Sequence, residues 1–459
     1  MRSQHSGNSF QQVEKLTYNY YLTGNWDSLI IIGTDAISAG QDYFYLRLRL
    51  GIACYFKENY RKAIMHLEKA LKFNSNDDTA LEYLYYSYVY SNQPKQANAL
   101  TTNSSKKLIE KLNTGRLNWL ENLYLETGPT FSNNISKNKK NNLLKSNSDY
   151  GVQDLYDKTY YFHLGTGITP FKRVSFYLGY NNLNISKLKQ IQSTELVLKG
   201  VINNGNAIHN LYRKKTSEIQ NSAYSLFQKE AYINSGIALN NGFIITPAVH
   251  LIWAHYATLT SELSVQYYEV LLGDTLTTIK ANTQEKEESF TNQVYSIAID
   301  KSISLYNMGI RGSYSNLNYS DQYQLEGLFT VFPKGNLSLY SATSITSHWQ
   351  EKANRIVFQE LIGAKVFPKF WLEGHLSIGE MLNYNEKNAF VVYNSGDKIK
   401  FRGGINFIIT LTPKLELSVR YSFYNNENSL YNYTPDLNLK IEHSDYQNHS
   451  IIGGLKWKL

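Results

Sequence analysis

The side chains of this chain best able to do chemistry are Arg311, Arg402, Arg420 and Lys456, with Asp300, Glu326, Glu373 and Glu416, and with His163, His250 and His375. Each falls on the polar face of a segment whose residues alternate between apolar and polar. Across residues 415–423 the odd positions are Leu, Leu, Val, Tyr and Phe, while the even ones are Glu416, Ser418, Arg420 and Ser422. A period of two is that of a β-strand with two unlike faces. Charges of both signs turned to one enclosed side must pair with each other or meet water. The chemistry to expect is a polar conduit, a ligand chamber, or an ion-pair network that fills a narrow interior.

Catalysis is harder to read. There is no Gly-x-Ser-x-Gly elbow, no His-Glu-x-x-His and no phosphate-binding loop. The three histidines stand on separate segments without metal-ligand spacing. Gly165-Thr166-Gly167 reads as a strand bend. The single cysteine, Cys54, excludes a disulfide framework and a Cys-based zinc or iron–sulfur site within one chain. No catalytic residue, metal or cofactor is expected. Lys plus Arg (46) against Asp plus Glu (38) leaves +8, with no polybasic block, so no nucleic-acid partner is expected either.

The elements that would hold these side chains are long. Residues 160–168, 245–253, 325–331, 370–378 and 401–411 alternate like 415–423, and several such stretches approach the roughly ten residues that cross a bilayer at a tilt. Very short connections, such as Pro170 to Arg173, Asn240-Asn241-Gly242, Phe332 to Gly335, Phe367 to Lys369 and Thr412 to Lys414, interleave with long polar ones at 132–149, 182–220, 258–289 and 383–399. That asymmetry is expected of a transmembrane antiparallel β-barrel with tight periplasmic turns and longer extracellular loops. Strands are expected to start near 117, 153, 173, 221, 243, 288, 306, 321, 335, 353, 369, 397, 414 and 446, about 14 in all. Residues 389–393 read as an external hairpin. Tyr180, Trp253, Tyr314, Trp371, Tyr421 and Trp457 are expected in the interfacial girdles. Glu360 falls on the lipid face, which points to a bulge, a girdle position or a shifted register. Lys137, Lys139, Lys140 and Lys145, and Arg213-Lys214-Lys215, fall on external loops, where they either contact anionic lipopolysaccharide phosphates or form a solvated face.

The first part of the chain has a different period. Residues 8–115 carry apolar positions at helical spacing and a self-similarity near 34 residues. The unit at 44–77 places Leu50 and Gly51 on one helix, Asn59-Tyr60 at a turn, and Ala63, Leu67 and Ala70 on the next helix. Shifting one period upstream gives Gly24-Asn25-Trp26 with Leu29 and Ala36. Shifting downstream gives Leu84, Tyr88, Asn92-Gln93-Pro94 and Ala97. This resembles two to three tetratricopeptide repeats, with Arg47 in the slot of the signature Trp. The alternative is a generic helical hairpin array. Both supply a docking surface.

The ending Gly454-Leu455-Lys456-Trp457-Lys458-Leu459 resembles the C-terminal signal read by the outer-membrane insertion machinery, with Gly454, Leu455, Trp457 and Leu459 carrying the likeness and Leu459 standing where Phe is usual. MRSQHSGNSF carries no apolar leader segment. A cytoplasmic protein with these strands would expose a very large apolar belt, so the chain is read as one without its signal peptide. The fold class is therefore α + β multidomain: TPR-like helices at 8–115 in the periplasm, then an outer-membrane barrel at 117–459. In domain order it is similar to polysaccharide export porins with tetratricopeptide domains, YaiO-like barrels and surface lipoprotein assembly modulators. The resemblance implies a non-enzymatic factor in export, translocation or assembly of a surface component. Its partners would be the lipid bilayer, lipopolysaccharide, and a periplasmic or outer-membrane protein held by the repeats. The alternatives are a structural anchor subunit with a plugged barrel, and a barrel enzyme acting on lipid or peptide at the cell surface.

Overall fold

The computed structural model describes residues 9–114, 119–203, 208–239, 242–269 and 275–459. The strand start expected near 117, and Asn240 and Asn241 of one expected turn, lie outside the described residues.

Helical hairpins come first: α1 (Phe10–Thr23) with α2 (Trp26–Ser38), α3 (Phe44–Phe56) with α4 (Tyr60–Phe73), and α5 (Asp78–Tyr90) with α6 (Pro94–Leu100), followed by α7 (Lys106–Lys111). Local chemistry sets their starts. The side chains of Ser9, Asn25, Asn59, Asp77 and Ser105 each accept from a backbone N–H of the first turn, which satisfies a donor with no intrahelical partner. Helix α1 stops at Gly24, which adopts the left-handed conformation (φ 66°) that closes a helix C-terminus. Small residues let neighbouring helices meet: a Cβ on Gly51 would lie 2.5 Å from Leu67 Cγ. Leu50, Gly51, Ala63, Leu67, Ala70 and Ala97 are all buried between these helices. Arg47 is buried and pairs with Asp42 at 2.7 Å.

The rest is strand: β1 (Leu120–Ser132), β2 (Tyr150–Phe171), β3 (Val174–Asn203), β4 (Ile208–Thr216), β5 (Gln220–Ala238), β6 (Phe243–Glu269), β7 (Thr275–Ile303), β8 (Tyr306–Ser315), β9 (Gln322–Val331), β10 (Leu339–Gln350), β11 (Ala353–Phe367), β12 (Phe370–Met381), β13 (Tyr384–Glu386), β14 (Val391–Tyr393), β15 (Lys398–Thr412), β16 (Leu415–Tyr433) and β17 (Leu439–Lys458), with a short helix α8 (Asn134–Asn138) after β1. All wall pairings are antiparallel, and β1 pairs with both β2 and β17. The ladder runs β1-β2-β3-β5-β6-β7-β8-β9-β10-β11-β12-β15-β16-β17 and returns to β1, a closed cylinder of 14 strands. β4 extends β3 outside the ring, and β13 with β14 forms a separate two-stranded sheet.

Two expectations about the long connections are corrected. Among the described residues, 182–203, 208–216, 258–269 and 275–289 are strand and not loop. β3, β6 and β7 run for 30, 27 and 29 residues, far past the 9–11 or so needed to cross a bilayer, as ladders standing beyond the wall. Their outer parts curl together, where Ile279 is buried with Ile191 and Tyr150. Residues 389–393 are not an external hairpin either. They belong to a hairpin that turns into the barrel.

The outer wall is apolar. Ile297, Ile299, Ile310, Leu325, Ile345, Ile362, Ile378, Val419 and Ile451 are exposed on it. Aromatic residues mark its two edges: Tyr160, Trp253, Tyr295, Tyr323 and Trp349 toward the long-loop end, and Phe243, Tyr306, Phe367 and Trp457 toward the short-turn end. Trp371 departs from the expected girdle. It shares the inner face with Glu373, and its indole N–H donates to Leu337 O at 3.0 Å. The register of β10, β11 and β12 is unbroken around Glu360, so this carboxylate does stand on the outer wall and no bulge removes it.

Candidate functional site in the lumen

A cylinder of 14 strands is wider than side chains alone can fill, since eight strands already leave an interior just wide enough for them. Here the space is taken by the hairpin between β12 and β15, residues 382–397, which carries β13 and β14. An apolar centre holds it: Met381 and Tyr384 pack with Val357 and Ile399, and Ala389 with Ile252, Val294 and Leu317. Phe390 lies in a ring of aromatics with His163, Tyr177 and Tyr232.

Polar contacts then tie the hairpin to strands on every side. Tyr384 donates to Thr346 on β10 at 3.1 Å, Asn385 to Ser313 on β8 at 3.1 Å, and Asn388 to Thr246 O on β6 at 3.1 Å. Asn394 donates to Gln228 on β5 at 3.1 Å, Lys187 on β3 to Ser395 O at 3.1 Å, and Tyr446 on β17 to Asp397 at 2.6 Å. Asn318, which the β8–β9 connection tips inward, donates to Asn383 at 2.7 Å.

The candidate side chains fall into this arrangement as follows. Arg402 reaches Glu386 of the hairpin with both terminal nitrogens and also touches Tyr393. Arg311 pairs with Glu326 at 3.2 Å, and Arg420 with Glu126 at 3.2 Å. Glu373 accepts from Asn406 at 2.9 Å and from the Tyr340 hydroxyl. Glu416 and Lys456 are direct cross-strand partners near the short-turn end. Asp300 lies against Gly309, whose missing Cβ leaves room for the carboxylate. His375 Nε2 is 3.4 Å from Ser422 Oγ.

Two of the three histidines are brought together. His163 Nε2 meets the Tyr177 hydroxyl at 2.6 Å and its Nδ1 meets Asn181 Oδ1 at 2.5 Å. Asn181 donates to Glu230 at 2.6 Å, Glu230 lies 3.1 Å from His250 Nε2, and His250 Nδ1 is 2.7 Å from Ala389 O of the hairpin. This chain of contacts runs along the inner wall over the adjacent strands β2, β3, β5 and β6 and ends on the hairpin. Its central carboxylate, Glu230, was not singled out from sequence, nor were Glu126, Glu386, Asn181 or His348, whose two ring nitrogens are buried without hydrogen-bond partners. Among the described residues no group of three or more His, Cys, Asp and Glu could hold a metal ion. His163 and His250 are fully buried and saturated by fixed partners, which suits positioning of the hairpin.

On the C-terminal strand, Leu455, Trp457 and Leu459 continue the outer-wall face. Gly454 faces inward, where a Cβ would meet Ser418 Oγ at 2.4 Å. Of the basic residues expected on external loops, Lys145 pairs with Glu442 at 3.1 Å, and Lys214, which stands on β4, pairs with buried Asp149 at 2.7 Å. α8 sits over the long-loop mouth, where Gln153 donates to Asn138 O at 3.4 Å and Gln190 to Lys139 O at 3.2 Å.

The helices seat on the short-turn end. Arg61 N donates to Gly335 O at 3.0 Å, and the Arg61 guanidinium stacks 3.5 Å above the Phe332 ring. Asn336 donates to Glu58 O at 3.0 Å, and Lys172 to Thr101 O at 2.8 Å. Lys95 of α6 occupies the space beside Gly236. Burial lowers its pKa, while Asp300 and Glu121 act the other way.

A closed antiparallel cylinder with an apolar outer wall, aromatic edges and a polar, filled interior defines a transmembrane β-barrel of the outer-membrane type. No family model matches the chain, and no curated relative matches it. Among solved structures it is similar to a FadL homologue of Pseudomonas aeruginosa (7% identity over 73% of this chain and 90% of that one, TM-score 0.41). It is also similar to the outer membrane protein Omp33 of Acinetobacter baumannii (8%, 74% and 99%, 0.31) and to a bacterial polysaccharide outer membrane secretin (7%, 73% and 98%, 0.33). At these scores the likeness carries no argument. The barrel assignment rests on the chain's own ladder and outer wall.

Proposed function

We propose that this protein is a non-enzymatic outer-membrane platform for export or assembly of a surface component. Its TPR-like helices, on the periplasmic side, dock a protein partner, and its barrel anchors that complex with the lumen shut. The observation that carries this reading is the hairpin at 382–397, bonded to strands all around the cylinder, with the helices seated on its short-turn end. A barrel built to pass solutes at rest has no use for a hairpin tied across its lumen.

Planar-bilayer recording of the purified protein tests it. The expected result is no steady ion current from the intact chain. A stable open channel would sink the reading. Recovery of a stoichiometric protein partner in mild detergent, lost when the helices are deleted, would support the docking role.

A second reading is a conduit for export that opens when the partner displaces the hairpin. It is favoured by one feature: β13 and β14 pair only with each other, so the hairpin can leave without breaking a rung of the wall. Partner-dependent current would select it over the sealed platform.

A further inference from the structure

A cavity of about 530 Å³ lies where the helices meet the barrel. That is the size of a small-molecule site. Ile30 of α2 and Cys54 of α3 supply its apolar lining, and three lysines supply its charge. Lys57 and Lys62 come from the helices, around the α3–α4 turn, and Lys334 comes from the turn between β9 and β10. The neutral polar groups on the barrel side are already engaged. Asn336 donates to Glu58 O at 3.0 Å and accepts from the Ser338 backbone N–H at 2.9 Å and from its hydroxyl at 2.5 Å. The cations are less well served. Lys57 pairs with Asp27 at 3.0 Å, an exposed pair that contributes little. Among the described residues the Lys62 and Lys334 ammonium groups have neither an ion pair nor a hydrogen bond. Glu58 is the one carboxylate on the lining. Positive charge is therefore in excess on both sides of the joint, where like charges repel.

We infer that this cavity binds a phosphate group and that the bound anion fastens the helices to the barrel. An ammonium is a compact cation with three donors, and the two free ones belong to opposite sides of the joint. A phosphate between them replaces repulsion by attraction on each side. The apolar lining lowers the local dielectric and strengthens both contacts. The volume leaves room for an organic group beyond the phosphate. Two sources share this chemistry, phosphate from solution and the headgroup of a phospholipid. The membrane surface is close. Arg61, next to Lys62, donates at 3.5 Å to the backbone oxygen of Tyr306, which marks the aromatic edge at the short-turn end. The inference does not depend on what the helices dock.

Limited proteolysis of the full chain in mild detergent, between residues 111 and 120, reads how firmly the helices are seated. One probe is sodium phosphate, against sodium chloride of equal ionic strength. The other is short-chain phosphatidylglycerol, against short-chain diacylglycerol. A ligand that binds only the seated form should slow cleavage about tenfold at roughly ten times its Kd. K62Q/K334Q should lose this protection. K69Q/K72Q, which removes the same charge near the other end of α4, should keep it. With neither probe present, K62Q/K334Q should be cleaved no faster than the wild type, because the repulsion is gone. Heat-modifiable migration and Trp26 fluorescence report that barrel and helices are folded. Protection by sodium phosphate assigns the site to a solute, and protection by phosphatidylglycerol alone assigns it to lipid. A wild type that neither probe protects overturns the inference. So does protection that K62Q/K334Q retains or K69Q/K72Q loses, or faster cleavage of K62Q/K334Q without a probe.

Discussion

Arg402 stands on β15 of the wall and Glu386 on the hairpin inside it, and the guanidinium grips the carboxylate with both terminal nitrogens, one contact at 3.1 Å. Both side chains are almost fully withdrawn from solvent. Removing one partner of a buried pair costs more than the pair itself contributes, about 3–5 kcal/mol. R402A is therefore expected to loosen the hairpin and leave the wall intact. In planar bilayers it should show intermittent current steps where the wild type is silent, and R402K should lie between them. An R402A barrel as quiet as the wild type would mean that this pair does not hold the closure.

His66 gives the helices a defined response to pH. It is buried, with Arg47 Nη1 3.1 Å from its Nδ1, and burial first, then the Arg47 charge, depress its pKa to about 4. The folded form resists protonation that the unfolded chain accepts near its ordinary value. Stability is therefore full above about pH 6.5 and falls as pH drops toward 4, by roughly 3 kcal/mol in total. Fluorescence of Trp26, the one tryptophan among the helices, should report unfolding that shifts with pH in the wild type. In H66Q that shift should shrink across the same window.

Gly51 is required where α3 meets α4. G51A would press its methyl against Leu67, and overpacking of this kind costs about 1–3 kcal/mol. Thermal melts followed at Trp26 should fall accordingly. G51A with L67A should cost less than the two changes do separately, because the second makes room for the first.

Gly335 is required for the seating of the helices on the barrel. Its φ of 68° and the closeness of Asn59 Oδ1 both exclude a side chain. G335V should leave barrel and helices folded yet uncouple them. Limited proteolysis should then cut between residues 111 and 120 faster than in the wild type, and an unchanged cleavage rate would refute the contact's importance.

Cys54 is 2% exposed, and burial pushes its thiol up to about 11. At pH 8 it should react with a thiol reagent several orders of magnitude more slowly than a free cysteine, with a rate that rises in step with unfolding of the helices. Rapid labelling of the native protein would place this residue elsewhere.

Much of the architecture was legible from period alone. Alternation marked wall strands such as Phe370–Met381, Lys398–Thr412 and Leu415–Tyr433, because a wall between oil and a wet interior forces unlike faces on every strand. Small residues at Gly51, Ala63 and Ala70 marked the helical seams for a similar local reason. The same alternation put Glu126 beside Tyr124 and Glu230 between Gln228 and Tyr232 on the inner face, so those two carboxylates could have been found. The hairpin at 382–397 could not. Its polar, short-stranded sequence suits an external loop equally well, and what draws it inward is a set of partners (Thr246, Gln228, Thr346, Tyr446) up to roughly 170 positions away in the chain. Such matches across a closed surface have no local signature.

The seam between β1 and β17 joins Asn122 to Lys458 and Phe131 to His449. Contacts so distant along the chain form late, so the ring cannot seal while the ribosome is still delivering β17. Until then the ladder keeps two unpaired edges, β1 and β17, and an apolar outer face that favours association with other chains in water.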